Sequence, residues 1–141
     1  MTLLTWKAEF YSTLARDCSA EDAIKHSLRK WEGMRETNLN KHGIETSAVT
    51  SHLYEIGKPC STDFVFRVDD SSCALCHHFS PNDMICRDCP LQTVRGAACD
   101  RPRSDETHSP WSAWQDDGGD RDPEPMIFWL TKALEAQTET A

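Results

Sequence analysis

Residues 73–99 read Cys73-Ala-Leu-Cys76-His-His-Phe-Ser-Pro-Asn-Asp-Met-Ile-Cys86-Arg-Asp-Cys89-Pro-Leu-Gln-Thr-Val-Arg-Gly-Ala-Ala-Cys99. Five of the chain's seven cysteines fall in this window. Two Cys-x2-Cys pairs a short loop apart have the spacing of a tetrahedral zinc site. A tight turn in each pair brings both sulfurs to one side of the backbone, so each pair supplies two corners of the tetrahedron. The simplest ligand set for one structural Zn2+ is Cys73, Cys76, Cys86 and Cys89. Cys99 is then a neighbouring packing thiol, or the alternative fourth ligand beside one intact pair. Two disulfides or unligated buried thiols are the competing readings. His77 and His78 follow Cys76 directly. A ring next to a ligating cysteine usually points away from the same metal, so both are expected at the surface or in supporting hydrogen bonds.

Four thiolates saturate zinc and quench its Lewis acidity, whereas catalytic zinc keeps an open position. The 73–99 window contains no Glu to act as a base, and its acids, Asp83 and Asp88, fall in turns. The deaminase pattern of His-x-Glu followed by Pro-Cys-x2-Cys is absent, as are phosphate-loop, nucleophile-elbow and His-Glu-x-x-His motifs. Cys18 precedes a helix start, where a thiolate is favoured, and Cys60 follows a proline. Each reads first as a small apolar residue. The expectation is a non-enzymatic protein.

Upstream of the cysteines, residues 62–68 alternate, with Phe64, Phe66 and Val68 on one face and Val65 and Arg67 on the other. That is a half-buried strand leading into the metal lobe. Residues 44–60 show no clear period. Leu3, Trp6, Phe10 and Leu14 predict a helix over 3–16. Ser19 with Asp22 three residues on resembles a capping box. Ile24, Leu28 and Trp31 then give a second helical stripe that ends at Gly33, with Lys25, Arg29 and Lys30 on other faces. A short helical turn is expected from Glu36 to His42, closed by Gly43.

Downstream, Ser109-Pro110-Trp111 has the form of a helix start. Trp111 and Trp114 lie one turn apart, next to the acidic run 116–124. They either form an exposed contact patch with Asp116, Asp117 and Asp120 or pack against the zinc knuckles. Pro125 opens a last helix with Ile127, Leu130 and Leu134 on its stripe, fading near Gln137.

The chain has 141 residues and a net charge of −8, which favours one domain. Residues 1–60 balance eight basic against eight acidic groups, so the acidity belongs to the rest. An acidic face carrying a thiolate-bound zinc repels phosphate, so direct nucleic-acid binding is not expected. A basic protein surface is the easier partner. The start of the chain lacks a signal-peptide pattern, and no apolar run approaches the roughly 20 residues of a membrane span. A cytosolic location without membrane contact is the expectation, and reducing conditions there favour metal over disulfide.

Ala23-Ile24-Lys25-His26-Ser27-Leu28-Arg29-Lys30-Trp31-Glu32-Gly33 followed by Asn38-Leu39-x2-His42-Gly43 resembles the opening of a family of small bacteriophage zinc-binding proteins. The likeness continues through Ser72-Cys73-Ala-Leu-Cys76, Cys86-x2-Cys89-Pro90-Leu91 and Gly96-x2-Cys99. It extends to Ser109-Pro110-Trp111-x2-Trp114 and Pro125-Met126-Ile127. The chain departs from the family pattern after Cys99, where Asp100 to His108 intervenes. The resemblance implies a phage accessory protein, acting in the cytoplasm of a bacterial host, with a bound zinc and no enzymatic activity. It is loosely similar to zinc-containing anti-defence (anti-CRISPR-like) proteins.

The sequence therefore predicts an α+β fold, with helices at both ends around a short β-containing zinc-knuckle lobe. The single domain, 1–141, divides into a helical part (1–60), the knuckle lobe (61–104), an acidic loop (105–124) and a C-terminal helix (125–137). The expected function is to bind and inhibit a host protein complex through an acidic surface. The alternatives are a sponge for a small nucleotide and, further off, a metal-dependent nuclease or hydrolase.

Overall fold

The computed structural model describes residues 2–46, 52–55, 65–68, 73–79, 89–97, 103–106, 109–114 and 122–140. Helix dominates. Seven helices, α1 Leu3–Phe10, α2 Ala23–Glu32, α3 Glu36–Lys41, α4 Ala74–Phe79, α5 Pro90–Arg95, α6 Pro110–Trp114 and α7 Glu124–Thr140, accompany three strands among the described residues. The strands β1 Ile44–Thr46, β2 His52–Glu55 and β3 Val65–Arg67 form one antiparallel sheet in sequence order. Ile44 pairs with Glu55, and Leu53 pairs with Phe66.

α1 starts on a reciprocal cap. The Thr5 N–H donates to Thr2 Oγ1 at 3.2 Å, and the Thr2 N–H donates to Thr5 Oγ1 at 2.8 Å. Its Leu3, Trp6 and Phe10 are buried, as the stripe requires. The helix stops at Phe10 rather than continuing to residue 16. At Ala15 the N–H donates to the Tyr11 hydroxyl at 3.0 Å instead of a helical carbonyl. Leu14 therefore leaves the core stripe and is 45% exposed.

α2 carries the centre of the molecule. Ser19 prepares it: its Oγ accepts the Asp22 N–H at 3.2 Å. The buried face comprises Ala23, Ile24, Ser27, Lys30 and Trp31. Leu28, expected on that face, is only partly buried, and Lys30, expected on another face, is 1% exposed. At its end Gly33 stays in a right-handed conformation, φ −65°. The glycine is needed for space. A Cβ there would lie 2.7 Å from Phe10 Cγ and 2.9 Å from Trp6 Cζ2. Gly43 does take a left-handed φ of 65°, turning α3 into β1.

Two aromatic groups fill the core. Tyr11 and Phe66 sit 4.7 Å apart, and Trp6 and Phe66 5.1 Å apart, which seats β3 against the α1 segment. As the alternation predicted, Phe66 and Val68 are buried and Arg67 is exposed. The second group joins Trp31 edge-on to Trp111 at 6.0 Å and to Trp114 at 5.5 Å. α7 lies along both α2 and α5. It buries Met126, Ile127, Leu130 and Ala133 there. No described helix is long and apolar enough to cross a membrane.

Candidate metal centre

Cys73 occupies the position before the first residue of α4, and Cys76 lies in that helix's first turn. A two-residue spacer at a helix start places the second cysteine's amide under the first cysteine's sulfur. The Cys76 N–H accordingly donates to Cys73 Sγ at 3.4 Å. α4 packs against α2, where Ser27 Oγ lies 3.9 Å from Cys73 Sγ. These contacts favour a thiolate. The Cys73 sulfur is pulled down from an ordinary 9.0 to about 5. The hydrogen bond from the Cys76 side chain contributes most; the Lys30 charge, the Cys76 N–H and Ser27 add to it against the desolvation of burial. A low-pKa sulfur held beside a second sulfur is the donor chemistry that a thiophilic cation such as zinc requires.

Cys89 is placed by a different element. It is buried at the N-terminal boundary of α5, with Pro90 at the first helical position. Its carbonyl accepts the Thr93 N–H at 3.1 Å and the Thr93 hydroxyl at 3.3 Å. Gly96, at φ 80°, ends the helix, its N–H donating to Gln92 O at 2.7 Å. Arg95 locks this helix to the 103–106 segment. Its side chain is buried, pairs with Glu106 and donates to Ala97 O at 2.9 Å. Glu106 also accepts the Arg103 N–H at 2.8 Å, and the Arg103 guanidinium lies 5.0 Å from the centroid of the Trp129 ring on α7. Residues 103–106 are thus clamped onto α5 and α7.

The structure brings Cys73 and Cys76 together. It does not place Cys89 with them as a third member of a metal-holding group, and among the described residues no three His, Cys, Asp or Glu side chains form one. The expected ligand Cys86 and the alternative ligand Cys99 lie outside the described residues, as does Cys60. The Nε2 of His78 is bonded to the Cys18 carbonyl, 60 residues away in sequence.

The other candidate residues separate cleanly. Trp114 is fully buried against Trp31, so its expected place in a partner-contact patch is corrected: it is a core residue. Trp111 keeps partial exposure while packing on the same rings. The pair packs on α2 rather than standing free, because two indoles one turn apart on a five-residue helix need an apolar wall. Asp116, Asp117 and Asp120 lie outside the described residues.

Burial, with the Asp22 carboxylate adding to it, pushes the Cys18 thiol up, which disfavours the thiolate. Cys18 does not stand alone in the fold. It borders a cleft of about 460 Å³ between the α1–α2 connection and α2, whose walls include Glu9, Tyr11, Asp22, Lys25, His26 and Arg29. His26, the imidazole nearest in sequence, has Nε2 2.6 Å from the Thr13 carbonyl, and its buried Nδ1 has no hydrogen-bond partner among the described residues. Glu9 is held below the ordinary carboxylate range by His42, whose Nε2 lies 2.7 Å from Glu9 Oε1, with help from Lys41.

Lys30 is the residue that the sequence misassigned. Ser27 and Lys30 stand one turn apart on α2, both buried, and neither the helical period nor its charge marks Lys30 as buried. Compared with protein-family models, curated proteins and solved structures, the chain matches none.

Proposed function

We propose that this is a non-enzymatic binding protein, braced by one structural zinc, that blocks a basic surface on a host protein complex. Cys73, Cys76, Cys86 and Cys89 are the ligands, with Cys99 as the alternative fourth. The observation that supports the reading is the Cys73–Cys76 pair at the start of α4: Cys73 Sγ accepts the Cys76 N–H at 3.4 Å and lies 3.9 Å from Ser27 Oγ on α2. A cation gripped there ties α4 to the rest of the molecule. Saturated by thiolates, it has no open position for a substrate.

The charge supports the binding half of the proposal. Residues 61–141 carry fifteen acidic and seven basic side chains. With Trp114 assigned to the core, the contact falls to the acidic run of Asp116, Asp117 and Asp120, flanked by the exposed edge of Trp111. Such a run steers association with a basic, nucleic-acid-accepting surface. The resemblance to small phage zinc-binding proteins makes a bacterial defence complex, met in the host cytoplasm, the candidate partner.

Elemental analysis should find one zinc per chain, and affinity capture from host lysate a stoichiometric protein partner lost at high salt. A metal-free protein, or capture of no stoichiometric protein, overturns the corresponding half of the proposal.

The small-nucleotide reading has one observation in its favour, the cleft beside His26, Lys25 and Arg29. Glu9, Asp17 and Asp22 in the same walls repel phosphate. Titration calorimetry with a nucleotide panel separates the two readings: heat with any nucleotide favours the sponge, and none favours the protein partner.

A further inference from the structure

We propose that the cleft between the α1–α2 connection and α2 binds a short free peptide as a zwitterion, its carboxylate at Arg29 and Lys25 and its ammonium at Asp17 and Asp22. All four side chains line this cleft of about 460 Å³, and neither Cys73 nor Cys76 does. The volume lies in the ordinary range for a small-ligand site.

Arg29 is held ready for an anion. Its guanidinium carbon lies 4.6 Å from the centroid of the Phe10 ring, and its Nε donates to the Glu9 carbonyl at 3.3 Å. A guanidinium fixed by an aromatic face and one backbone acceptor keeps its terminal nitrogens for a planar carboxylate. The Glu9 side chain does not use them up. Its Oε2 stands 3.9 Å from Arg29 Nη2, while its Oε1 meets His42 Nε2 at 2.7 Å and Lys41 Nζ at 3.2 Å. The Arg29 side chain is 51% exposed, so a ligand can reach it. At the other end Asp17 and Asp22 are exposed, and Asp22 Oδ2 accepts the Ser19 hydroxyl at 3.2 Å. Among the described residues, Asp17, Asp22 and Lys25 make no ion pair.

Opposite charges thus face one cleft without neutralising each other, which leaves them for a ligand that carries both signs. α2 sets the spacing. Asp22 and Arg29 stand two turns apart along it, about 10 Å on the helix axis, with Lys25 between them. A free amino acid holds its two charges too close together to reach both ends. An extended peptide of three residues spans about 10 Å. The hydroxyls of Ser12, Thr13 and Ser19 in the same walls suit its amide groups. A nucleotide brings only negative charge to Asp17 and Asp22, so these walls select against it.

The test titrates the full-length, isotopically labelled chain with tri-alanine and with its N-acetyl and C-amide forms, followed by NMR near neutral pH, where tri-alanine is a zwitterion. Tri-alanine is expected to give saturable shifts at the amides of residues 11–13 and 17–29. Either blocked form should bind roughly tenfold or more weakly. In Arg29→Met the free and amidated peptides should bind alike, and in Asp17→Asn combined with Asp22→Asn the free and acetylated peptides should. No saturable shift with tri-alanine, shifts confined to other residues, or blocked forms bound as tightly as the free peptide overturn the proposal. A folded Arg29→Met that still prefers the free carboxylate overturns it too. Should a variant fail to fold, the comparison of free and blocked peptides on the wild-type protein decides alone.

Discussion

The indole N–H of Trp6 donates to the carbonyl of Gly33 at 2.9 Å, fastening α1 to the end of α2 across 27 residues of sequence. The contact is possible because Gly33 has no side chain. Phe10 and Trp6 occupy the space that a Cβ would need. Gly33→Ala should therefore destabilise the protein by about 1–3 kcal/mol through overpacking. The better helix propensity of alanine offsets at most about 1 kcal/mol of this. Thermal melts would show it, and an alanine variant as stable as wild type would mean that the rings move aside freely.

Chelation of zinc, or Cys76→Ser, should open the central lobe. Structural zinc contributes roughly 10 kcal/mol or more to modules of this kind. Circular dichroism should then show a reduced melting temperature with α1, α2 and α7 still helical. A melting curve unchanged by chelation would contradict a structural role for the metal.

Trp114 and the acidic run make opposite predictions. Trp114→Ala removes a fully buried indole packed on Trp31 and should cost about 3–5 kcal/mol of stability. Neutralising Asp116, Asp117 and Asp120 together to Asn should leave the melting temperature near wild type and abolish partner capture. Both effects are read from the same pair of assays, and a triple variant that still captures the partner would remove the acidic run from the interface.

Glu9 supplies a pH dependence. The folded protein holds its carboxyl below the ordinary value, first through the hydrogen bond with His42. A depressed carboxyl pKa means that the unfolded chain binds the proton more readily, so the contribution is complete above the ordinary value of about 4.3 and is lost as pH falls through the lower, folded value. Wild type should melt above Glu9→Gln near about pH 6, and the two should converge in acid. Parallel curves down to the acid limit would show that Glu9 has no such role.

The Arg35–Glu124 pair is bidentate, at 2.6 and 3.2 Å, and joins the start of α3 to the first residue of α7. Both side chains are largely exposed. Glu124→Gln should cost at most about 1 kcal/mol, diminishing with salt. A larger, salt-insensitive loss would mean that the pair orients α7.

Periodicity and turn chemistry alone determined much of this protein. Leu3, Trp6 and Phe10 declared α1, Ile24 and Trp31 declared α2, Pro110 and Pro125 marked the openings of α6 and α7, and the alternation through Phe66 and Val68 declared β3. These signals are local: a helix or strand must repeat its apolar side at a fixed interval to bury it. The cysteine spacing likewise pointed to a thiolate centre, with disulfides or unligated thiols as its rivals. What the sequence could not announce depends on who meets whom. β1 and β2 lack a repeating pattern, and only pairing makes them strands, β1 with β2 and β2 also with β3. α1 ends early because the Tyr11 hydroxyl, not a backbone carbonyl, receives the Ala15 N–H. Lys30 lies off the apolar stripe read for α2 and is nevertheless buried, and Trp114, which the sequence left between a contact patch and packing on the knuckles, is covered by Trp31. Burial of a charge or an indole is settled by long-range neighbours, and these exist only once the chain has folded.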